Sequence, residues 1–316
     1  APGSFIPFES LAESLKANFK SYDGHVTIGA IGLYFRLLAP LITDKRSDPA
    51  VVALGEDGQY AVSLLSGHLG GANDLTKIIA QLSDGQAVIT TATDLNEKPA
   101  LEVLARTNGL VAQNWPRLAP LARLLAEGEP VPIHDPHGFM TAALSPWAGS
   151  FRPFRGEPEE AGLWVDFLAP APSYCFILRP RVLVVGLGSH REVTRDELYE
   201  PLAATFRERN LALGSIRLLA TIDRRAQERA FLDLANDLDA PLLAFPPEEL
   251  AKVEAPNPSA LVRKNVGVDS VCEAAALLAA QPGNLLVPKQ KTKKVTLAVA
   301  LIDWTSSAWA QATRPA

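Results

Sequence analysis

Residues 62–74 combine a histidine with the small residues of a tight turn, and this stretch of the sequence is the best suited to chemistry. An apolar run ends in Ser-Gly-His at 66–68, and Gly-Gly-Ala at 70–72 leads into Asn73 and a helical pattern. A strand that feeds such a turn at a helix start presents backbone N–H groups and the positive end of a helix dipole. Beside the imidazole of His68, the turn could hold an anionic group and transfer a proton. From the spacing alone, an imidazole that only ties the turn to neighbouring backbone is an equally good interpretation.

Asp94 is a second candidate for chemistry, because it follows a strand pattern that runs to Thr93. Ligand-binding groups collect at the carboxyl ends of strands in α/β sheets. The alternative interpretation is that Asp94 caps the segment that follows it. Thr91 and Thr93 are typical strand residues that would present one face to a ligand.

Neither glycine-rich segment of the sequence matches a nucleotide-binding motif. No Gly-Lys-Ser/Thr follows the turn at 66–74, as a Walker P-loop requires. In the second segment, which includes Gly186 and Gly188, Arg191 stands where the third glycine of a dinucleotide fingerprint would be, and Asp223 comes too late to be its acidic residue. We interpret the two glycines as a tight strand–helix turn or as a place where a bulky ligand approaches the backbone.

The composition is that of an ordinary globular protein, with 47% hydrophobic and 21% charged residues in a chain of 316. The net charge of −5 predicts no general attraction to nucleic acid. No apolar run has the length of a transmembrane helix and no signal peptide is visible, so we expect no membrane partner. Cys175 and Cys272 lie far apart in the sequence and suit a reduced, cytoplasmic protein.

Strand and helix patterns in rough alternation predict an α/β fold, with two α/β domains joined by a Pro-rich, poorly periodic middle region. We expect an N-terminal domain at 1–128, a linker or reduced middle region at 129–178 and a C-terminal domain at 179–316. The N-terminal patterns predict strands at 25–31, 50–54, 59–65 and 86–91, and helices at 8–19, 34–41, 73–82 and 99–107. The C-terminal patterns predict strands at 181–185, 215–220 and 242–245, a closing hairpin at 285–288 and 295–301, and helices at 195–208, 226–238, 247–251 and 270–280.

Several blocks of the sequence, in the same order, resemble the cobalt-precorrin-5A hydrolases, the CbiG family. The blocks that carry the resemblance are residues 36–49, 66–74, 89–94, 179–188, 220–223, 266–276 and 286–291. They cover most of the chain, whereas residues 130–178 match poorly. Members of this family have a strand and a helix upstream, so the first strand of the N-terminal domain is expected to be missing from this sequence.

The resemblance implies a hydrolase of anaerobic cobalamin (vitamin B12) biosynthesis that opens the δ-lactone of cobalt-precorrin-5A and releases acetaldehyde, giving cobalt-precorrin-5B. It favours His68 as the base that activates water and Asp94 as a second catalytic residue, with the N–H groups at 70–72 donating to the oxyanion. The macrocycle and its own cobalt would take up the electrons of the cleaved carbon–carbon bond, so no cofactor is expected.

The corrinoid carries acetate and propionate arms, so cationic side chains are expected to hold it. The residues predicted to bind this substrate are Arg36, Lys45, Arg46, Ser66, Gly67, Gly70, Gly71, Asn73, Thr91, Thr93, Gly186, Gly188, Asp223, Arg263 and Lys289.

Two other functions are compatible with the sequence. A non-catalytic carrier of tetrapyrrole intermediates would keep the cations but tolerate loss of His68, and a nicotinamide-dependent reductase would need the nucleotide motif that is broken here. No metal site is predicted, because a proline separates His134 from His137 and further ligands are lacking, so a surface loop is expected there. A homodimer and contacts with other enzymes of the corrin pathway are compatible with the sequence.

Overall fold

The computed structural model describes residues 6–91, 98–156, 160–260, 263–264 and 267–304. The chain divides into two compact units. The first unit comprises Ala1–Leu104 and Ala122–Glu129, and the second comprises Ala105–Leu121 and Pro130–Ala316. Within the described part of the chain, no helix is long and apolar enough to cross a membrane.

The first unit is built on a four-stranded mixed sheet in the order β1-β2-β3-β4. Its strands are β1 (Gly24–Ile28), β2 (Ala50–Leu54), β3 (Tyr60–Leu65) and β4 (Gln86–Val88). β1 pairs with β2 and β3 with β4 in parallel, whereas β2 and β3 are antiparallel. β2 and β3 form a hairpin, in whose turn Gly58 N–H donates to the carbonyl of Gly55 at 2.9 Å.

Three helices pack with this sheet: α1 (Leu11–Asn18), α2 (Ile31–Leu38) and α3 (Ala72–Leu82). Ser10 begins α1 as its N-cap, accepting a hydrogen bond from the backbone of Glu13. The helix α3 buries Ala72, Thr76 and Ala80, which are spaced by four residues and share one face. These small residues let α3 lie close against β2 and β3, and α3 thereby fixes the turn at 66–71 that precedes it.

The second unit contains two five-stranded sheets. The first has the order β5-β9-β8-β6-β7 and comprises β5 (Leu110–Gln113), β6 (Val131–His134), β7 (Phe151–Pro153), β8 (Leu163–Val165) and β9 (Phe176–Pro180). β5 is antiparallel to β9, and the other pairs are parallel. Of the helices in this part of the chain, α4 (Leu101–Thr107) and α5 (Leu118–Glu127) each contribute residues to both units, and α6 (Thr141–Leu144) belongs to the second.

Four of these strands, β6 to β9, come from the segment that we predicted to be a linker or reduced middle region. The structure differs here because the strands are only three to five residues long. Such short strands give no periodic signal. Pro132 and Pro153, two of the prolines that suggested a linker, lie within these strands and are part of the sheet.

The second sheet of this unit has the order β12-β11-β10-β14-β13. It comprises β10 (Leu183–Ser189), β11 (Ile216–Ile222), β12 (Leu242–Phe245), β13 (Gly283–Lys291) and β14 (Val295–Ile302). β10, β11 and β12 are parallel, and β14 runs antiparallel to both β10 and β13. Its helices are α7 (Arg195–Glu208), α8 (Asp223–Ala226), α9 (Arg229–Asp237), α10 (Pro247–Leu250) and α11 (Val271–Ala279). The α/β fold predicted for this region is confirmed.

Helices cover both faces of this second sheet. Along β10, Leu183, Val185 and Leu187 join the core formed with α7 and α9, whereas Val184 joins the core formed with α11. This alternation is the period of two that a strand buried on both sides requires. Because the parallel strands β10 and β11 end at the same edge of the sheet, the residues that follow them lie together.

Candidate functional site

The turn at 66–71 connects β3 to α3 and is closed by its own backbone. Ser66 and Gly71 adopt left-handed conformations, with φ of 55° and 84°. Three hydrogen bonds hold the turn: Gly71 N–H to His68 O (3.0 Å), Ala72 N–H to Ser66 O (3.1 Å) and Asn73 N–H to Gly67 O (2.9 Å). These bonds fix the shape of the turn and use the N–H groups of Gly71, Ala72 and Asn73.

Gly70 is the part of this turn that remains suited to a ligand. Of the N–H groups at 70–72 that we predicted as oxyanion donors, those of Gly71 and Ala72 are taken, and Gly70 N–H has no partner in the described chain. A Cβ on Gly70 would lie 2.4 Å from the Cβ of Ser66, and one on Gly67 would lie 2.6 Å from Asn73 Oδ1. Both glycines are thus required by the packing of the turn itself.

Asn73 ties three elements together behind the turn. Its side chain is buried, accepts a hydrogen bond from Ser63 Oγ at 2.7 Å and donates one to Thr91 Oγ1 at 3.1 Å. These bonds connect β3, the first turn of α3 and the segment after β4. The Ser66 hydroxyl is also buried and has no hydrogen-bond partner in the described chain. Of the predicted binding residues, Asn73 and Thr91 therefore support the turn.

His68 forms a pair with Glu102, a residue that the sequence analysis did not select. Nδ1 of the imidazole lies 2.9 Å from Oε1 of Glu102, and the two side chains are 18% and 13% exposed. Glu102 is in the first turn of α4, where a carboxylate is favoured by the helix dipole. Burial by itself would raise the pKa of the Glu102 carboxyl, but its hydrogen bonds to His68 and to backbone, with the charges of His68 and Lys45, hold that pKa below its ordinary value.

An ionised carboxylate on Nδ1 sets the protonation of the ring. It favours the tautomer in which Nδ1 carries the proton and Nε2 is the basic nitrogen, and it stabilises the imidazolium that forms when Nε2 accepts a proton. This is the arrangement of a general base held by a carboxylate.

Of the three cations predicted in the first unit, Lys45 is the one whose charge acts on this pair, because it contributes to the lowered pKa of Glu102. Arg46 instead binds Asp44, with Nε 2.9 Å and 3.0 Å from the two carboxylate oxygens. Arg36 is exposed on α2 and donates to the carbonyl of Gly32 at 3.2 Å. Thr93 and Asp94 lie outside the described residues.

The second unit contains a large cavity where β10 and β11 end. Its volume is about 1110 Å³, and its walls come from the residues after β10, the start of α9 and the hairpin of β13 and β14. Gly188 and Lys289, both predicted to bind substrate, line it. Seven lysines and arginines line it against two glutamates: Arg191, Arg224, Arg225, Arg229, Lys289, Lys291 and Lys294 against Glu192 and Glu228.

Three other predicted binding residues of this unit are not among those lining the cavity. A Cβ on Gly186 would lie 1.9 Å from the carbonyl oxygen of Cys272, so this glycine lets α11 pack against β10. Asp223 is exposed and accepts a hydrogen bond from the backbone N–H of Arg224 at 2.6 Å, which stabilises the start of α8. The side chain of Arg263 donates from Nε to Asp269 at 2.6 Å.

The histidines at 134 and 137 both face one buried carboxylate. Asp166 Oδ2 lies 3.4 Å from His134 Nε2, and Oδ1 lies 3.8 Å from His137 Nε2. The ring of His134 stacks on Trp164 with 3.7 Å between centroids. The described residues contain no group of three or more His, Cys, Asp or Glu side chains placed to hold a metal ion.

Two family models match this chain. The model described as Cobalamin synthesis G N-terminal matches residues 13–94, and the one described as Cobalamin synthesis G C-terminus matches residues 183–300. Together they span the turn that carries His68 and the strands that border the cavity.

The chain is also similar to two cobalt-precorrin-5A hydrolases along most of its length. It is 34% identical over 308 residues to the cobalt-precorrin-5A hydrolase of Salmonella typhimurium, which covers 93% of this chain and 86% of the relative. It is 28% identical over 305 residues to the cobalt-precorrin-5A hydrolase of Priestia megaterium, covering 92% and 81%. The crystal structure of CobE, a protein from the cobalamin (vitamin B12) biosynthetic pathway, is 29% identical over 42% of this chain and 94% of its own, with a TM-score of 0.37.

Proposed function

Because the chain belongs to the cobalt-precorrin-5A hydrolase family, we propose that it hydrolyses cobalt-precorrin-5A. The reaction consumes one water, opens the δ-lactone and releases the two-carbon unit as acetaldehyde, giving cobalt-precorrin-5B. We therefore propose that this hydrolase acts on a carbon–carbon bond. The observation that carries the proposal is the pairing of His68 with Glu102 next to a glycine turn.

The first step is attack of water on the lactone carbonyl. Nε2 of His68 takes a proton from water, and Glu102 stabilises the resulting imidazolium through Nδ1. The oxygen of the carbonyl gains negative charge as the new carbon–oxygen bond forms, and Gly70 N–H, which makes no hydrogen bond in the described chain, can donate to it. Collapse of the tetrahedral intermediate breaks the ring carbon–oxygen bond, and the released oxygen takes up the proton from His68.

The second step releases acetaldehyde. The hydroxyl formed by ring opening loses its proton as it becomes the aldehyde carbonyl, and the electron pair of the breaking carbon–carbon bond passes to the conjugated macrocycle. The macrocycle takes up one proton in exchange, so the step is balanced in charge and atoms. The cobalt belongs to the substrate, so we propose that the protein supplies no further cofactor. Because Cys175 and Cys272 are free, buried thiols, we also propose that the reaction takes place in the cytoplasm.

Substitution of His68 tests the proposal. We expect His68→Ala to lose at least about two orders of magnitude in acetaldehyde release, the usual contribution of a general base, with little change in the thermal unfolding midpoint. Added imidazole should restore part of the rate of His68→Ala, because the space left by the side chain can take a small base. The control is His25→Ala in the same unit, whose ring contacts the carbonyl of Phe19. Acetaldehyde release near the wild-type rate from His68→Ala would exclude His68 as the base.

A further inference from the structure

The cavity of the second unit is large for a small-molecule site. Its volume of about 1110 Å³ lies just above the range of about 300–1,000 Å³ for ligand pockets. It also lies where ligands bind in open α/β sheets, beyond the carboxyl ends of the parallel strands β10 and β11. The size and position together indicate a bulky ligand.

The net charge of the cavity lining is opposite in sign to that of the whole chain. Seven cations against two glutamates give a local excess of five positive charges, whereas the chain carries a net charge of −5. Like charges gathered on one surface repel each other unless an anion lies between them. The cavity is therefore electrostatically matched to a polyanion.

The cations divide into those with acidic partners and those without. Arg225 pairs with Glu228, Arg229 with Asp233 and Lys294 with Glu197. Three others, Arg191, Arg224 and Lys291, have no acidic partner anywhere in the described chain. They come from the loop after β10, from α8 and from the end of β13, so three separate elements each present an uncompensated charge to the cavity.

The rim near Lys289 is held by a buried acid. The Glu273 side chain is wholly buried and accepts hydrogen bonds from Lys289 N–H at 3.0 Å and from the backbone and side-chain amides of Asn257 at 3.0 Å and 2.7 Å. The ammonium of Lys289 donates to the carbonyl of Asn257, so its charge is not neutralised by an acid. One carboxylate thus joins the start of α11, the segment around Asn257 and β13, and fixes this side of the cavity.

The walls are not only cationic. Val193, Ile222, Val271 and Val295 also line the cavity and supply apolar surface. A Cβ on Gly188 would lie 2.7 Å from Thr296 Oγ1, so a side chain at this position of the cavity lining would require the Thr296 hydroxyl to move. Apolar walls with separated cations fit a ligand that has a broad apolar body and several acidic arms.

We propose that this cavity binds the acid side chains of a tetrapyrrole polycarboxylate, with Arg191, Arg224 and Lys291 as its main carboxylate contacts. The inference rests on the proposed function and deepens it by assigning a substrate-binding role to the second unit. Planar guanidinium groups suit carboxylates because they can donate two parallel hydrogen bonds. Separated cations also suit acid groups spread around a ring better than the adjoining phosphates of a nucleotide.

Titration with a stable octacarboxylate, uroporphyrin I, tests this inference without catalysis. The wild-type chain should quench uroporphyrin fluorescence on binding, and its affinity should exceed that for the tetracarboxylate coproporphyrin I. We expect Arg191→Gln, Arg224→Gln and Lys291→Gln each to weaken uroporphyrin binding by about fivefold, and the triple variant by at least about fiftyfold, since each exposed charge contact contributes modestly. Raising the salt concentration should weaken wild-type binding more than binding by the triple variant.

The matched control is Arg209→Gln, an exposed arginine of the same unit that does not line the cavity. It should bind uroporphyrin as the wild type does. Equal affinity of the triple variant and the wild type would overturn the inference, as would failure of the wild type to bind uroporphyrin at low salt. Competition by ATP at concentrations similar to those of uroporphyrin would overturn it in favour of a nucleotide site.

The same variants separate this inference from the proposed activity. If the wild type binds uroporphyrin through the three cations but releases no acetaldehyde from cobalt-precorrin-5A, the cavity assignment stands and the hydrolase proposal fails, leaving a carrier. If the wild type releases acetaldehyde and the triple variant has an unchanged KM, the hydrolase proposal stands and the cavity assignment fails.

Discussion

Replacing Glu102 by glutamine tests whether this carboxylate sets the basicity of His68. Glutamine retains an oxygen that can accept from Nδ1–H but removes the negative charge. The atoms are 2.9 Å apart and both side chains are less than one-fifth exposed, so the charge interaction is only partly screened. With about 4 Å between charge centres and an effective dielectric constant of about 20, the interaction is roughly 4 kcal/mol, and the remaining contact with water reduces it to about 1.5–3 kcal/mol.

The magnitude predicts a shift in the pH profile. Because each 1.36 kcal/mol corresponds to one pKa unit, the acid limb of the kcat/KM profile should move to lower pH by about one to two units in Glu102→Gln. Glu102 itself has a lowered pKa and stays ionised over the range in which an imidazole titrates, so the limb reports the histidine. Glu102→Ala, which also removes the contact that orients the ring, should show a further fall of about tenfold in the plateau rate.

Acetaldehyde would be measured by stopping the reaction with cobalt-precorrin-5A at each pH and assaying the product at one fixed pH with alcohol dehydrogenase and NADH. The matched control is Glu129→Gln, an exposed glutamate of the same unit. An unshifted acid limb in Glu102→Gln, with a plateau equal to that of the control, would refute the role of Glu102 in setting the base.

Three further predictions concern stability and can be checked by urea unfolding. Gly186→Ala should cost about 3 kcal/mol or more, because its Cβ would lie 1.9 Å from the Cys272 carbonyl oxygen; an unchanged midpoint would contradict this packing. A Cβ on Gly71 would have no atom within 4 Å, so Gly71→Ala should lower the free energy of unfolding only by the roughly 1–2 kcal/mol that a left-handed φ costs a non-glycine residue. Gly70→Ala should lower it more, because its Cβ would be crowded by Ser66; the opposite order would contradict the geometry. Burial raises the pKa of the Asp48 carboxyl, but hydrogen bonds from Lys20 and Thr43 lower it by more, so the net pKa lies below the ordinary value of 3.8. The ionised form therefore contributes stability that is present above pH 3.8 and is lost as the pH falls through the folded pKa. Asp48→Asn should therefore be less stable than the wild type at pH 7, and the difference should shrink below pH 3.8; a constant difference would argue against a charge effect.

Local patterns predicted much of the fold. The helix at 195–208 and the strand at 242–245 have the predicted bounds, and the hairpin of β2 and β3 follows from its turn residues. These features depend on neighbours in the sequence, namely hydrophobic period, caps and turn chemistry. The sheet formed by β5 to β9 was not predicted, because three-residue strands exist only through pairing with distant strands.

Two glycines of the second unit also show which features local sequence predicts and which depend on distant contacts. The sequence does not distinguish the roles of Gly186 and Gly188, since both follow an apolar run and precede a polar loop. The tertiary structure separates them, because α11 begins more than eighty residues later and packs its backbone against Gly186, whereas Gly188 lies at the cavity. No local signal distinguishes a glycine needed for helix packing from one needed for ligand approach.

By itself the sequence determined that a histidine lies in a rigid glycine turn between a strand and a helix, because a turn of this kind is specified by residues next to each other. Only the tertiary structure decided what that histidine contacts, since Glu102 is 34 residues away and its carboxylate reaches Nδ1 through the placement of α4. Likewise, Arg191, Arg224 and Lys291 are unremarkable surface cations in the sequence. They become one site because the parallel strands β10 and β11 and the hairpin of β13 and β14 bring their ends to the same edge of a sheet.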